Sequence, residues 1–126
     1  MAKLFVSYSK KDRNWAKTLA RLLEERGFSP WLDERDIQPG TNWEDEVKKA
    51  VAESDAVIAV LGEGKPSPKV LVEVGIALGQ QKPVMPVVVG KYTDPGYLSS
   101  ISKHEAIKTN NADAAARQIV RAVTAR

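Results

Sequence analysis

The chain alternates between short, continuously apolar runs and longer stretches in which apolar residues recur every three or four positions. Continuous runs are typical of strands buried on both faces, whereas the longer spacing is typical of helices with one buried face. Because the two patterns alternate, we expect a parallel sheet with right-handed crossovers. The apolar runs predict five strands, at 3–7, 28–32, 56–61, 84–89 and 105–108.

This alternation predicts an α/β fold, namely a flavodoxin-like doubly wound parallel sheet with strand order 2-1-3-4-5 and helices on both faces. At 126 residues the chain is long enough for a proper core, and we expect 1–126 to form a single domain. In such sheets ligands bind beyond the carboxyl ends of the strands, near the reversal of strand order. That edge should carry residues 7–10, 33–43 and 62–67.

The helix predicted between the third and fourth strands contains one polar residue that its apolar pattern does not explain. Ser67 is suited to be its N-cap and Pro68 its first residue. Residues 70–78 are almost all apolar or glycine, so we expect this helix to be buried over most of its circumference. An ionised Glu73 inside that run is costly unless it lines a polar cleft or finds a partner. Lys69, four residues earlier, offers the alternative of an exposed ion pair of about 0.3–0.5 kcal/mol.

Composition excludes several kinds of function. The chain has no cysteine and one histidine, so we expect no disulfide, no thiolate chemistry and no metal site. The net charge of +3 is spread among acidic residues, which argues against a nucleic-acid partner, while a mild positive field favours an anionic small molecule. No signal peptide or membrane-spanning segment is evident, so we expect a cytoplasmic protein without a membrane partner.

Familiar nucleotide-binding motifs are missing. The segment GEGKPS, at 62–67, lacks the first glycine of a Walker A loop and has Pro66 at the hydroxyl position. No G-x-G-x-x-G follows the first strand, which argues against an ordinary dinucleotide-binding fold. The third strand ends in Leu61 and Gly62 rather than in the aspartate that a phosphoacceptor would need.

Four segments, in this order, resemble a TIR (Toll/interleukin-1 receptor) domain, most of all the bacterial, free-standing kind. They are FVSYSKKD, WLDERDIQPGTNWEDEV, SDAVIAVL and the Glu73 helix followed by KPVMPVVV, and together they span nearly all of 3–89. The D-x-x-x-I-x-P-G loop followed by a helix is fairly specific, whereas FxSYS alone would be weak evidence.

The resemblance implies roles for individual residues. Glu73 corresponds to the catalytic glutamate with which enzymatic TIR domains cleave NAD+ at the nicotinamide–ribose bond. Residues 33–42 correspond to the BB loop, which mediates homotypic TIR–TIR assembly. Many active members have W-x-x-x-E, but Lys69 occupies the tryptophan position here. The expected substrate-binding residues, from the resemblance and from the strand ends, are Ser9, Lys10, Asp33, Trp43 and Ser67, and the expected assembly residues are Asp36, Ile37, Pro39 and Gly40.

The implied function is that of an NAD+ glycohydrolase or ADP-ribosyl cyclase, which releases nicotinamide and forms ADP-ribose or a cyclic isomer. NAD+ would be the substrate, with no cofactor. The implied setting is bacterial antiphage or stress signalling, with a downstream effector that senses the nucleotide product. A single carboxylate suits this chemistry because cationic nicotinamide leaves as a neutral molecule and needs no general acid, unlike the leaving groups of two-carboxylate glycosidases.

Two other functions compete with this one. Lys69 in place of tryptophan favours a non-catalytic module that self-associates through the BB loop. The sequence E-x-G-x-A from Glu73, followed by KPV, also resembles the nucleoside deoxyribosyltransferases, whose carboxylate acts in glycosidic transfer. A TIR fold by itself decides none of this, because function resides in the site.

Overall fold

Five parallel strands form the central sheet, in the order β2-β1-β3-β4-β5. The computed structural model describes residues 2–33, 42–93, 95–101 and 106–124, with only the backbone of Pro95 and Ser99. The observed order confirms the predicted flavodoxin-like α/β class. The strands are β1 (Lys3–Ser7), β2 (Ser29–Leu32), β3 (Ala56–Leu61), β4 (Val84–Val88) and β5 (Ile107–Lys108).

Helices cover both faces of the sheet, as the alternating pattern predicts. One core cluster joins the first and last helices to the sheet, and a second cluster joins the other three helices to the opposite face. A short 3-10 turn, Lys10–Asp12, precedes the first helix. The helices are α1 (Arg13–Glu25), α2 (Trp43–Ala52), α3 (Pro68–Gly79), α4 (Pro95–Ile101) and α5 (Ala112–Thr124).

The alternation of side chains along the strands decides which residues face which helices. In β3 every residue is buried. Ala56, Ile58 and Val60 belong to the core cluster that includes α1 and α5, here called the α1–α5 cluster. The residues that alternate with them belong to the core cluster on the opposite face, here called the α2–α3 cluster. In β1, Phe5 belongs to the α2–α3 cluster. Ser7, two residues further, therefore points to the same side of the sheet, toward α3.

The start of α3 is as the sequence predicts, but its burial is not. The Ser67 hydroxyl accepts a hydrogen bond from the Val70 N–H at 3.3 Å, and Pro68 is the first helical residue. The expectation of burial over most of the circumference is wrong, because Leu71, Val72 and Leu78 are 38–44% exposed. A helix on one side of a sheet buries only the side chains that face the sheet and the neighbouring helix. In α3 these are Val70, Glu73, Val74 and Ala77.

β1 and β3 have the predicted bounds, and each of the other three strands differs from prediction at one end. β2 begins at Ser29, β4 ends at Val88, and the described part of β5 is Ile107–Lys108, since the predicted residue 105 lies outside the described residues. Within the described ranges, no helix has the length and apolar character needed to cross a membrane.

Candidate active site at the carboxyl edge of the sheet

The site is built around the carboxyl group of Glu73. This side chain lies on the buried face of α3 and is 1% exposed. The hydroxyl of Ser7, the last residue of β1, donates a hydrogen bond to its Oε1 at 2.7 Å. Because β1 lies between β2 and β3 in the sheet, this contact sits where the strand order reverses, which is where ligands bind in open α/β sheets.

Burial makes Glu73 hard to ionise. Its pKa is raised to about 8, chiefly by burial and slightly by the negative charge of Asp33. The hydrogen bond from Ser7 and the positive charge of Lys69 lower the pKa, but by less than burial raises it. Near neutral pH the carboxyl group of the free protein is therefore mostly protonated.

The second carboxyl oxygen of Glu73 has no partner in the described part of the chain. Oε2 is buried, and no hydrogen-bond donor or acceptor among the described residues reaches it. A buried oxygen without a partner costs free energy, of the order of 1–3 kcal/mol. Such groups need an explanation, and a ligand that binds there would provide one.

The ammonium group of Lys69 has partners other than Glu73. It donates to the main-chain carbonyl of Asp33 and lies 4.8 Å from the centre of the Tyr8 ring. An ammonium over an aromatic face is attracted by the electron density of the ring. The alternative of an exposed Lys69–Glu73 ion pair is therefore wrong: Glu73 is buried and bound to Ser7, while Lys69 is half-buried against other partners.

Asp33 and Trp43 form the wall beside Lys69. The indole N–H of Trp43 donates to Oδ2 of Asp33, and both residues are buried. Trp43 also packs in the core cluster that includes Phe5 and Val47. The tryptophan at the start of α2 thus fixes the residue that follows β2, and direct contact of its ring with substrate stays a prediction.

The loops after β1 and β3 are held together by Asp12 and Gly62. The main-chain N–H of Gly62 donates to the Asp12 carboxylate. Burial raises the pKa of Asp12, and the charge of Lys11 and the Gly62 hydrogen bond partly offset this. A Cβ at position 62 would overlap the Asp12 carboxylate, so only glycine permits this approach.

The remaining predicted residues lie at the same edge but are not all part of one cluster. Ser9 is buried, and its carbonyl accepts the Asp12 N–H at 2.8 Å, while Lys10 is exposed. The Ser67 hydroxyl is engaged as the α3 cap. The predicted assembly residues Asp36, Ile37, Pro39 and Gly40 lie outside the described residues.

The sequence places Ser7 and Tyr8 at this edge, within residues 7–10, but neither is among the expected substrate-binding residues. Ser7 is the one polar residue inside the otherwise apolar segment 4–7, just as Glu73 interrupts an apolar helix. Two polar interruptions in elements that pack together signal a buried polar contact. In the ranges that the structure covers, no three His, Cys, Asp or Glu side chains come together as metal ligands.

Comparison with known proteins identifies relatives of this fold. The profile of the family described as TIR domain matches residues 4–120. A search among curated proteins found no significant match.

Three solved structures illustrate the range of similar folds. The TIR domain of the Toll-related receptor TRR-2 from Hydra magnipapillata has 20% identity and a TM-score of 0.69, covering 96% of this chain and 97% of that one. The Clostridium botulinum CMP N-glycosidase BcmB has 19% identity and a TM-score of 0.68, covering 94% and 98%. A 2-deoxyribosyltransferase from Bacillus psychrosaccharolyticus has 12% identity and a TM-score of 0.63, covering 91% and 90%.

Replacing Glu73 by glutamine is expected to stabilise the protein at neutral pH. The folded pKa of about 8 lies above the ordinary value of 4.5, so the folded state binds the proton more tightly and wild-type stability falls as pH rises between these values. A neutral amide avoids this loss. Urea unfolding should show Glu73→Gln more stable by up to about 3 kcal/mol at pH 7 and by under about 1 kcal/mol at pH 5.

The matched control is Glu44→Gln, which changes an exposed carboxylate in the first turn of α2. It should show no comparable difference between the two pH values. A stability gap for Glu73→Gln that stays constant from pH 5 to pH 8 would contradict the raised pKa.

Gly62→Ala is expected to destabilise the protein by about 1–3 kcal/mol, because the new methyl group displaces the Asp12 carboxylate. Chemical denaturation measures the loss. Adding Asp12→Ala should recover part of it, since the overlap is then removed. Gly75→Ala, where nothing lies within 4 Å, should instead stabilise α3 by about 0.5–1 kcal/mol. Equal effects of alanine at positions 62 and 75 would refute the clash.

Proposed function

This chain belongs to the TIR domain family, and from that premise we propose that it cleaves the nicotinamide–ribose bond of NAD+, with Glu73 as the catalytic residue. The observation that carries the proposal is the buried Oε2 of Glu73, which no hydrogen-bond partner reaches in the described part of the chain, at the reversal of strand order. A carboxyl oxygen in that position can face the ribose carbon at which the bond breaks.

In the proposed reaction the bond between C1′ and the pyridinium nitrogen breaks, and its electron pair goes to the nitrogen. Nicotinamide leaves as a neutral molecule, and positive charge develops on the ribose. Oε2 of ionised Glu73 stabilises that charge in a site from which water is largely excluded, where a fixed anion acts strongly. Water then adds to C1′ and loses a proton, which gives ADP-ribose. Where water is kept out, a ribose hydroxyl or an adenine nitrogen adds instead and gives a cyclic isomer.

The raised pKa of Glu73 fits this mechanism. Binding of the cationic nicotinamide–ribose group favours the carboxylate, so substrate binding lowers the pKa and releases the proton. Part of the free energy of substrate binding is thus used to ionise Glu73. The resulting carboxylate is stabilised most in the transition state, where the positive charge on C1′ is largest. An interaction that is stronger in the transition state than in the ground state accelerates the reaction. Ser7 restrains the carboxyl group through Oε1 and leaves Oε2 available.

The competing candidate function is cleavage or transfer at the glycosidic bond of a nucleotide or nucleoside that carries a neutral base. The similar structures from Clostridium and Bacillus are described as a CMP N-glycosidase and a 2-deoxyribosyltransferase. A neutral leaving base needs a proton, and a carboxyl group that is protonated at neutral pH is suited to supply it. In that case Glu73 would act as an acid on a nucleotide or nucleoside.

Several expectations from the family resemblance remain proposals. They are homotypic assembly through residues 33–42, the formation of a cyclic product, a role in bacterial antiphage or stress signalling, and an effector that senses the product. A cytoplasmic location is likewise a prediction.

Purified protein at high concentration should release nicotinamide from NAD+, measured by chromatography of the products. Glu73→Gln should reduce the rate by at least about 100-fold, because it removes the charge that stabilises the transition state. Glu44→Gln, in contrast, should retain full activity. Unchanged release by Glu73→Gln would refute the assigned role.

The pH profile should separate the two candidate functions. If the carboxylate is the reactive form, kcat/KM for NAD+ rises with pH and levels off above about 8. Ser7→Ala should move the midpoint to higher pH, since the Ser7 hydrogen bond lowers the pKa. If Glu73 acts as an acid, activity falls through the same range, and exchange of free bases on deoxynucleosides would then identify the transferase.

A further inference from the structure

Lys69 carries a positive charge that the described residues do not neutralise. Its partners, the Asp33 carbonyl and the Tyr8 ring, are both uncharged groups. No carboxylate in the described ranges forms an ion pair with it, and nearby Glu73 is mostly protonated near neutral pH. Lys69 is also the second residue of α3, where the helix dipole disfavours a cation. A cation in this position is therefore well placed to bind an anionic ligand.

Charged residues of both signs surround Lys69. Lys10 and Lys11, after β1, and Lys65, before α3, are exposed at the same edge of the sheet. The exposed acids described there are Glu63, after β3, and Glu44, Asp45 and Glu46 in the first turn of α2. Because this edge carries both signs of charge, the attraction of an anion rests on Lys69 itself, whose own partners are uncharged.

Oε2 of Glu73, which has no hydrogen-bond partner among the described residues, is an independent observation that favours a ligand beside Lys69. Residues four apart on a helix have Cβ atoms about 6 Å apart, so one small molecule can touch both side chains. In a ribose 5′-phosphate, a single CH2–O link joins the phosphate to the sugar ring. A ribose whose C1′ faces Glu73 can therefore present its 5′-phosphate to Lys69. A positively charged base would be repelled by Lys69, which places the base on the opposite side.

We propose that Lys69 binds the phosphate on the scissile ribose and makes this site selective for nucleotides over nucleosides. The inference rests on the proposed glycosidic cleavage at Glu73 and adds the substrate class. On binding, the ammonium exchanges a neutral carbonyl for an anionic phosphate, and hydrogen bonds between charged groups are roughly twice as strong as neutral ones. In the free protein, the Asp33 carbonyl and the Tyr8 ring hold the flexible side chain near its binding position, which reduces the entropy lost on binding.

The test compares nicotinamide mononucleotide with nicotinamide riboside. These compounds share the scissile bond and differ only in the 5′-phosphate. For the wild type, kcat/KM should be higher for the mononucleotide. Lys69→Gln should reduce this preference by about 10–100-fold, mainly through the mononucleotide, because it loses a hydrogen bond between charged groups. Lys69→Arg, which keeps the charge, should retain most of the preference.

Lys82→Gln is the matched control. Lys82 is also half-buried and also donates to a main-chain carbonyl, that of Ala52 at 3.0 Å, but it precedes β4 at the opposite edge of the sheet. The Lys82→Gln variant should leave the preference for the mononucleotide over the riboside unchanged. Equal losses on both substrates in Lys69→Gln, or a wild type without preference, would overturn the proposal and assign Lys69 a structural role.

Failure of the proposed function can be recognised separately. Nicotinamide release from NAD+ tests the proposed function by itself. If the wild type cleaves neither of the two smaller compounds, whether or not it cleaves NAD+, equilibrium binding of the mononucleotide and the riboside decides the role of Lys69. Tighter binding of the mononucleotide by wild type but not by Lys69→Gln would support phosphate recognition. Equal binding of both compounds, or no binding of either, would overturn it.

Discussion

The candidate site depends on one costly contact, the hydrogen bond from Ser7 to the buried carboxyl group of Glu73. Burial of this group opposes ionisation, and Ser7 compensates only one of its two oxygens. A glutamine or an apolar residue would suit the same helix better on stability grounds alone. Protein sites that retain such a group commonly give up stability for activity. The surrounding apolar packing of α3 supplies the stability that this position loses.

Elements that are far apart in the sequence contribute residues to the site. β1 contributes Ser7, the loop after β2 contributes Asp33, and α3 contributes both Lys69 and Glu73. The Trp43 indole fixes Asp33, and the Gly62–Asp12 contact fixes two loops against each other. Each group is thus positioned by a rigid element or by a second hydrogen bond, while Oε2 of Glu73, like Oδ2 of Asp12, has no hydrogen-bond partner among the described residues. This arrangement favours a site that is formed before its ligand arrives.

The sequence predicts well whatever a local pattern determines. The bounds of β3 are correct because all six of its residues are apolar, and Glu73 is conspicuous because it interrupts an apolar helix. The contacts of Ser7 and Lys69 could not be predicted, because their partners are 66 and 36 residues away and depend on how α3 lies on the sheet. The burial of α3 was overestimated for a related reason: composition does not show which side faces the sheet.

The strand order has a consequence for folding. β1 is central in the sheet, yet its two neighbours come from different distances along the chain: Leu4 pairs with Pro30 on one side and with Ala56 on the other. The first pairing needs only α1 to form, whereas the second must wait for a much longer loop to close, which is entropically slower. During synthesis, one edge of an apolar strand therefore stays open until β3 emerges, and an unpaired strand edge of this kind is prone to aggregation.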